Sequence, residues 1–77
     1  MRHPWIEVLC NDRVGRKVRV KCLPEDLVGD FKRVLAVQLG SAPDRIVLKK
    51  GYITYKDHIS LADYEIHDQS MVELYYS

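Results

Sequence analysis

No stretch of this sequence stays apolar for the roughly 20 residues that a membrane-spanning helix needs. Its start, "MRHPW", has no apolar segment of the secretory kind, so no export signal is expected. Cysteine is scarce, with only Cys10 and Cys22. They can pair only in oxidising surroundings, and without an export signal the expectation is reduced thiols in the cytosol or nucleus. A glycine-rich phosphate loop is missing, as are internal repeats, linkers and low-complexity segments. His3, His58 and His67 with the two cysteines lack the spacing of a zinc site, so no metal and no cofactor is expected. Neither sign of charge dominates: 12 basic and 11 acidic side chains leave a formal net charge of +1. A general nucleic-acid binder carries a basic excess, so non-specific DNA or RNA binding is not expected; local basic patches stay open.

What remains is enough for one small domain of 77 residues with a modest core. At 47% hydrophobic and 30% charged, the chain reads as globular rather than disordered. "WIEVLCN" alternates with period two, with Ile6, Val8 and Cys10 on one face. "RKVRVKC" alternates again, with Val18, Val20 and Cys22 inward and Lys17, Arg19 and Lys21 outward. Between them "DRVG" is a turn cluster in which Gly15 is free to take positive φ, so the two strands read as a hairpin. The period then changes. Pro24, Glu25 and Asp26 suit the start of a helix, and Val28, Phe31, Val34, Leu35 and Leu39 recur at helical spacing up to Gly40. A helix over 27–39 is predicted, weakened at Gly29 by about 1 kcal/mol relative to alanine.

"SAPD" reads as a loop, "RIVLKK" as a strand and "GYITYKD" as a turn with a brief strand. "SLADYEI" reads as a compact loop or single helical turn, and "SMVELYYS" as a closing strand at the edge of the sheet. Val8, Val18, Val20, Phe31, Leu35, Leu48, Leu61, Ile66, Val72 and Leu74 form the predicted core. Residues 1–4 lack periodicity and read as an extension before a domain over 5–77. Cys10 and Cys22 sit at inward strand positions, where a thiol is small core filler rather than a nucleophile. Asp57, His58 and Ser60 contain the residue types of a triad, but crowded into one loop without a nucleophile elbow; no enzyme is expected.

This order and spacing resembles the ubiquitin β-grasp from Ile6 to Ser77: an α+β fold with a mixed four- to five-stranded sheet packed on one helix. "IEVLCNDRVGRKVRVKC", "IVLKKGYITYKDHISLADYEIHD" and "ELYY" are similar to one branch, the homologous-to-ubiquitin family of ubiquitin-like protein 5. The chain departs from that branch in its first four residues, in Gly51 where Trp is usual, in Leu27 where Thr opens the helix, and in the detail of "GSAPDR". The closing stretch has no glycine, and Tyr75 and Tyr76 are too bulky for the channels that accept a Gly-Gly tail. Non-covalent action is therefore expected, rather than conjugation through a C-terminal isopeptide bond.

The resemblance implies a monomer in nucleus and cytoplasm that binds short helical HIND elements, with no small-molecule or membrane partner. It points to a HIND-containing tri-snRNP protein and to a spliceosomal DEAD-box helicase, and hence to modulation of pre-mRNA splicing. In the β-grasp the second strand is a sheet edge beside the helix. Lys17, Arg19 and Lys21 are therefore expected to wall a groove there, with Asp26 and Asp30 on its other side. Asp26 matches the acidic position with which this branch grips an arginine of the partner helix. His67 is a candidate contact for a second splicing partner, against the plainer reading of a surface histidine bonded to Asp68 or to a backbone carbonyl. Tyr64 is expected to clamp its loop through its hydroxyl. Where ubiquitin has its apolar patch this chain has Arg13 and Lys49, with Glu73 and Tyr75 nearby, so ubiquitin-receptor domains are not expected to bind. Two rival readings are a covalent modifier and an RNA-contacting accessory protein using Arg45, Lys49 and Lys50.

Overall fold

The computed structural model describes residues 4–77, so the predicted extension over 1–4, Pro4 apart, lies outside the described residues. The first two strands are β1, Ile6–Asn11, and β2, Lys17–Cys22, paired antiparallel from Ile6 opposite Cys22 to Asn11 opposite Lys17. Their turn is fixed by Asp12, whose Oδ1 accepts the N–H groups of Val14 at 3.0 Å and Arg16 at 2.8 Å. Gly15 takes φ of 84° there, a conformation a Cβ would oppose. The helix α1 runs over Val28–Leu39 and ends at Gly40, left-handed at φ 68°. The N–H groups of Gly40 and of Ser41 both reach back to the Ala36 carbonyl.

No side chain caps the start of α1. Asp26 instead accepts the Leu23 N–H at 2.9 Å and closes the turn before the helix. The exposed donors of the first turn are taken by the backbone of a later loop. Val28 donates to the Ile59 carbonyl at 2.9 Å, and Gly29 to the Asp57 carbonyl at 3.0 Å. A Cβ on Gly29 would lie 3.3 Å from that Asp57 oxygen. The glycine is thus the position that lets the loop come close enough to cap the helix.

Strands β3, Ile46–Lys50, β4, Ile53–Thr54, and β5, Met71–Tyr76, complete a mixed sheet in the order β2-β1-β5-β3-β4. The closing strand does not lie at an edge, as the sequence suggested. It runs parallel to β1 and antiparallel to β3, and so sits in the middle. This is the ubiquitin-like β-grasp, with all five strands present. Short 3-10 turns cover Pro43–Arg45 and Ala62–Tyr64.

Alternation decides what is buried. Val8, Cys10, Val20, Cys22, Ile46, Leu48, Val72 and Leu74 face Val28, Phe31, Leu35 and Ala36 of α1. Tyr55, Leu61 and Ile66 close the end of this core. Nine of the ten predicted core residues are fully buried, while Val18 is half-buried against them. Val34, read as part of the apolar helix face, is half exposed. The sequence reading did not include Ile46 or Tyr55. The Tyr55 ring lies 4.6 Å from that of Tyr64, whose hydroxyl accepts the Lys56 N–H at 2.9 Å, the loop clamp expected of it.

Two outcomes test this packing. Leu74 is 1% exposed and paired with Leu48. Leu74→Ala should lower unfolding free energy by about 2–5 kcal/mol through lost transfer energy and a residual cavity; an unchanged urea midpoint would contradict the register of β5. Burial pushes the Cys10 thiol up to about 12 and the Cys22 thiol up to about 11. At about pH 8 both should therefore stay protonated and resist maleimide in the native protein, reacting only in denaturant. Rapid native labelling of either would show a more open core.

Candidate partner-binding surfaces

The start of α1 borders a cleft of about 400 Å³ between the helix and the loops around Pro43 and His58. Leu27, exposed at 41%, and Asp30 lie on its rim. Both signs of charge meet there. Lys32 Nζ is 2.7 Å from Asp57 Oδ1, and Arg33 Nη1 is 3.7 Å from Asp30 Oδ1. Asp26 adjoins this rim one residue before Leu27 and spends one carboxylate oxygen on the Leu23 N–H.

Lys17, Arg19 and Lys21 stand on β2, the edge strand whose Arg19 carbonyl accepts a bond from Gln38 Nε2 of α1 at 3.2 Å. Val18, Val20 and Cys22 face α1, so strand alternation turns the three cations to the opposite face of the sheet. Arg19 Nη1 lies 3.1 Å from Glu7 Oε1 on that outer face. The three cations thus stand outward along β2, as their alternation predicts, while Asp26 and Asp30 stand at the start of α1. His67 occupies another surface. Its Nδ1 is 3.0 Å from the Asp68 carbonyl, and its N–H donates to Ser70 Oγ at 2.9 Å. It borders a smaller hollow of about 240 Å³ with Ile53, Tyr64 and Met71.

Asp57 is held by Lys32, and Ser60 Oγ accepts the Asp63 N–H at 3.1 Å.

The outer sheet face also holds a small polar lattice that sequence reasoning listed by residue but not by bonding. Glu73 accepts the Gly51 N–H and the Tyr75 O–H, each at 3.0 Å. Lys49 Nζ lies 5.4 Å from the centre of the Tyr75 ring. The Gly51 N–H first, then the Tyr75 hydroxyl, hold the Glu73 carboxyl below its ordinary range. The same bond to Glu73 raises the Tyr75 hydroxyl. In an NMR titration Glu73 should therefore titrate below a free glutamate, and Tyr75→Phe should move it upward without restoring it fully, since Gly51 remains. Its folded value is depressed, so its contribution to stability is present above the unfolded value and fades as pH falls through the folded one. An unshifted Glu73 would mean that the lattice does not persist in solution.

No family model matches the chain. Individual proteins do. The chain is 65% identical over 72 residues to the ubiquitin-like modifier hub1 of Schizosaccharomyces pombe, covering 94% of this chain and 99% of that one. It is 66% identical over 71 residues to the ubiquitin-like modifier HUB1 of Saccharomyces cerevisiae, with 92% and 97% covered. Ubiquitin-like protein 5 of Drosophila melanogaster is 58% identical over 71 residues, again with 92% and 97% covered.

Proposed function

The chain belongs to the Hub1 and ubiquitin-like protein 5 family, and from that premise we propose that it is a non-conjugated ubiquitin-like protein of the splicing machinery. It binds HIND-type helical elements of spliceosomal proteins non-covalently and thereby modulates pre-mRNA splicing in the nucleus, with a second pool in the cytoplasm. A HIND-containing tri-snRNP protein is the first partner. A spliceosomal DEAD-box helicase is the second, at the hollow beside His67. The protein acts as a monomer and carries no catalysis of its own.

The non-covalent reading is supported by how the glycines and the last strand are used. The four glycines, at 15, 29, 40 and 51, stand singly, three of them at positive φ and Gly29 where the loop closes on the helix. Tyr76 is in register with Ile46, and the Ser77 N–H donates to the Arg45 carbonyl at 2.8 Å. Those residues serve the sheet.

The observation that carries the binding mode is the cleft at the start of α1, with exposed Leu27 beside two carboxylates. An amphipathic helix laid there buries its apolar face on Leu27 and offers an arginine to Asp26. An arginine–carboxylate pair can be bidentate, which fixes the rotation of the partner helix as well as attracting it. Few contacts are available in so small a site, so each carries a large share of the energy.

Titration of a HIND peptide should show Asp26→Ala weakening binding by about tenfold, near 1.4 kcal/mol. Asp26→Asn should weaken it almost as much, because the amide keeps the shape and the bond to Leu23 but loses the charge. Thermal melts run alongside separate binding from folding. Unchanged peptide affinity in a well-folded Asp26→Asn protein would sink the role of Asp26.

A further inference from the structure

The closing strand outruns its parallel neighbour. The pairing of β1 with β5 stops at Asn11 opposite Glu73, while β5 continues beside β3 until Tyr76 opposite Ile46. The backbone of that last stretch is satisfied on one side only. The Ser77 N–H donates to the Arg45 carbonyl at 2.8 Å, so Tyr75, two residues earlier and opposite Val47, also turns its N–H and C=O groups to β3. Leu74 and Tyr76 turn theirs the other way. The Ser70 carbonyl, which accepts the Leu9 N–H at 2.9 Å, shows the same parity toward β1. At Tyr76, however, β1 has already left the sheet. Asp12 donates to the Arg16 carbonyl at 3.0 Å and Gly15 to the Asp12 carbonyl at 3.3 Å, so the turn bonds to itself. Among the described residues no backbone bond joins that turn to β5, and the Leu74 carbonyl and the Tyr76 N–H are left open.

Where β1 would have continued lies a hollow of about 280 Å³, lined by Asp12, Arg13, Val14, Leu74, Tyr75 and Tyr76. The Leu74 side chain is buried in the core, so its main chain is what faces the hollow. Val14, 88% exposed, and half-exposed Tyr76 give it apolar walls. Its uncommitted charge is positive. Asp12 spends Oδ1 on the N–H groups of Val14 and Arg16, and Glu73 is bonded to Gly51 and Tyr75. Among the described residues no carboxylate lies within ion-pair distance of Arg13. Glu73 raises the Tyr75 hydroxyl and the charge of Arg13 opposes that, so the field of the guanidinium reaches this corner.

We propose that this notch at the end of β5 receives a short extended segment of a partner protein, an acidic residue between two apolar ones, laid along the line of β1. The acidic residue donates its N–H to the Leu74 carbonyl and accepts the Tyr76 N–H, as one residue of a parallel strand bridges two of its neighbour. By the alternation of Leu9 and Asn11 its side chain stands on the outer face, on the side of Tyr75 and Arg13. Its apolar neighbours cover Tyr76 and Val14. The segment lies in the plane of the sheet, so Tyr75 keeps its bond to Glu73. A second copy of this chain does not suit the notch, because two such ends related by a two-fold axis would bring two Arg13 cations together and leave neither answered.

The test uses the full chain, labelled for NMR, and a short capped peptide in which one glutamate stands between two valines. Binding should slow hydrogen exchange at the Tyr76 amide. The Tyr75 amide, already bonded to β3, should be little changed. Arg13→Glu replaces an attraction by a repulsion and should weaken the peptide by about tenfold at low salt, and a lysine in place of the peptide's glutamate should recover the loss. N-methylation of that glutamate should abolish binding, because the Leu74 carbonyl then gains no donor. Asp26→Asn should leave the peptide's affinity unchanged, which separates this notch from the cleft at α1. The proposal is overturned if the Tyr76 amide exchanges as before at saturating peptide, if the N-methylated peptide binds equally well, or if Arg13→Glu leaves the affinity intact. Protection of Tyr76 that rises with protein concentration in the absence of peptide would overturn it too, in favour of a second copy.

Discussion

The pairing of β1 with β5 is the constraint on which the rest of the structure depends. Leu9, Cys10 and Asn11 lie opposite Met71, Val72 and Glu73, in parallel, across about 60 residues of intervening chain. That contact makes one sheet from two antiparallel units. It also places the inward side chains of four strands over one helix. Closing so long a loop is entropically costly, and the return comes only when the apolar faces meet α1. Polar contacts at the loop before β5 help to fix the register, through the Glu7 N–H to Asp68 Oδ1 at 2.8 Å and the Gln69 N–H to the Glu7 carbonyl. With β1 and β5 central, β2 and β4 become the edges, and every candidate surface takes its position from that order.

The helix start depends on the same closure at one remove. Its first donors are satisfied by carbonyls of Asp57 and Ile59, from a loop far along the chain. The cleft beside Leu27 therefore exists only once the loop has docked. Gly29, which by helix propensity alone is a weakness, permits that docking. Asp26 is freed from capping the helix and holds the turn at Leu23.

Much of this was legible in the residues. The alternation of Ile6, Val8 and Cys10 against Val18, Val20 and Cys22 announces the hairpin and the faces it buries, and Gly40 marks the end of the helix. The strand order was not legible, because it rests on long-range pairing that no local pattern encodes. Ile46 and Tyr55 escaped notice because one opens its strand and the other lies in a loop. The position of the basic stripe was in fact implied by the alternation: if Val18 and Val20 face the helix, Lys17, Arg19 and Lys21 cannot. The outward stance of those cations was read from the same strand period, and the structure keeps it. The bonding of Asp26 to Leu23 had no signal in the sequence, since an acidic residue before a helix reads as its cap.

The lattice of Glu73, Tyr75, Gly51 and Lys49 has a consequence for how such a protein shares a cell with ubiquitin. A receptor that reads an apolar patch would have to strip water from a carboxylate and an ammonium group here, and break bonds they already make within the fold. Nothing need be added to repel it. Any group docking on that side of the sheet would meet a carboxylate, a phenol and an ammonium whose partners already lie within the fold, and would have to replace each of them.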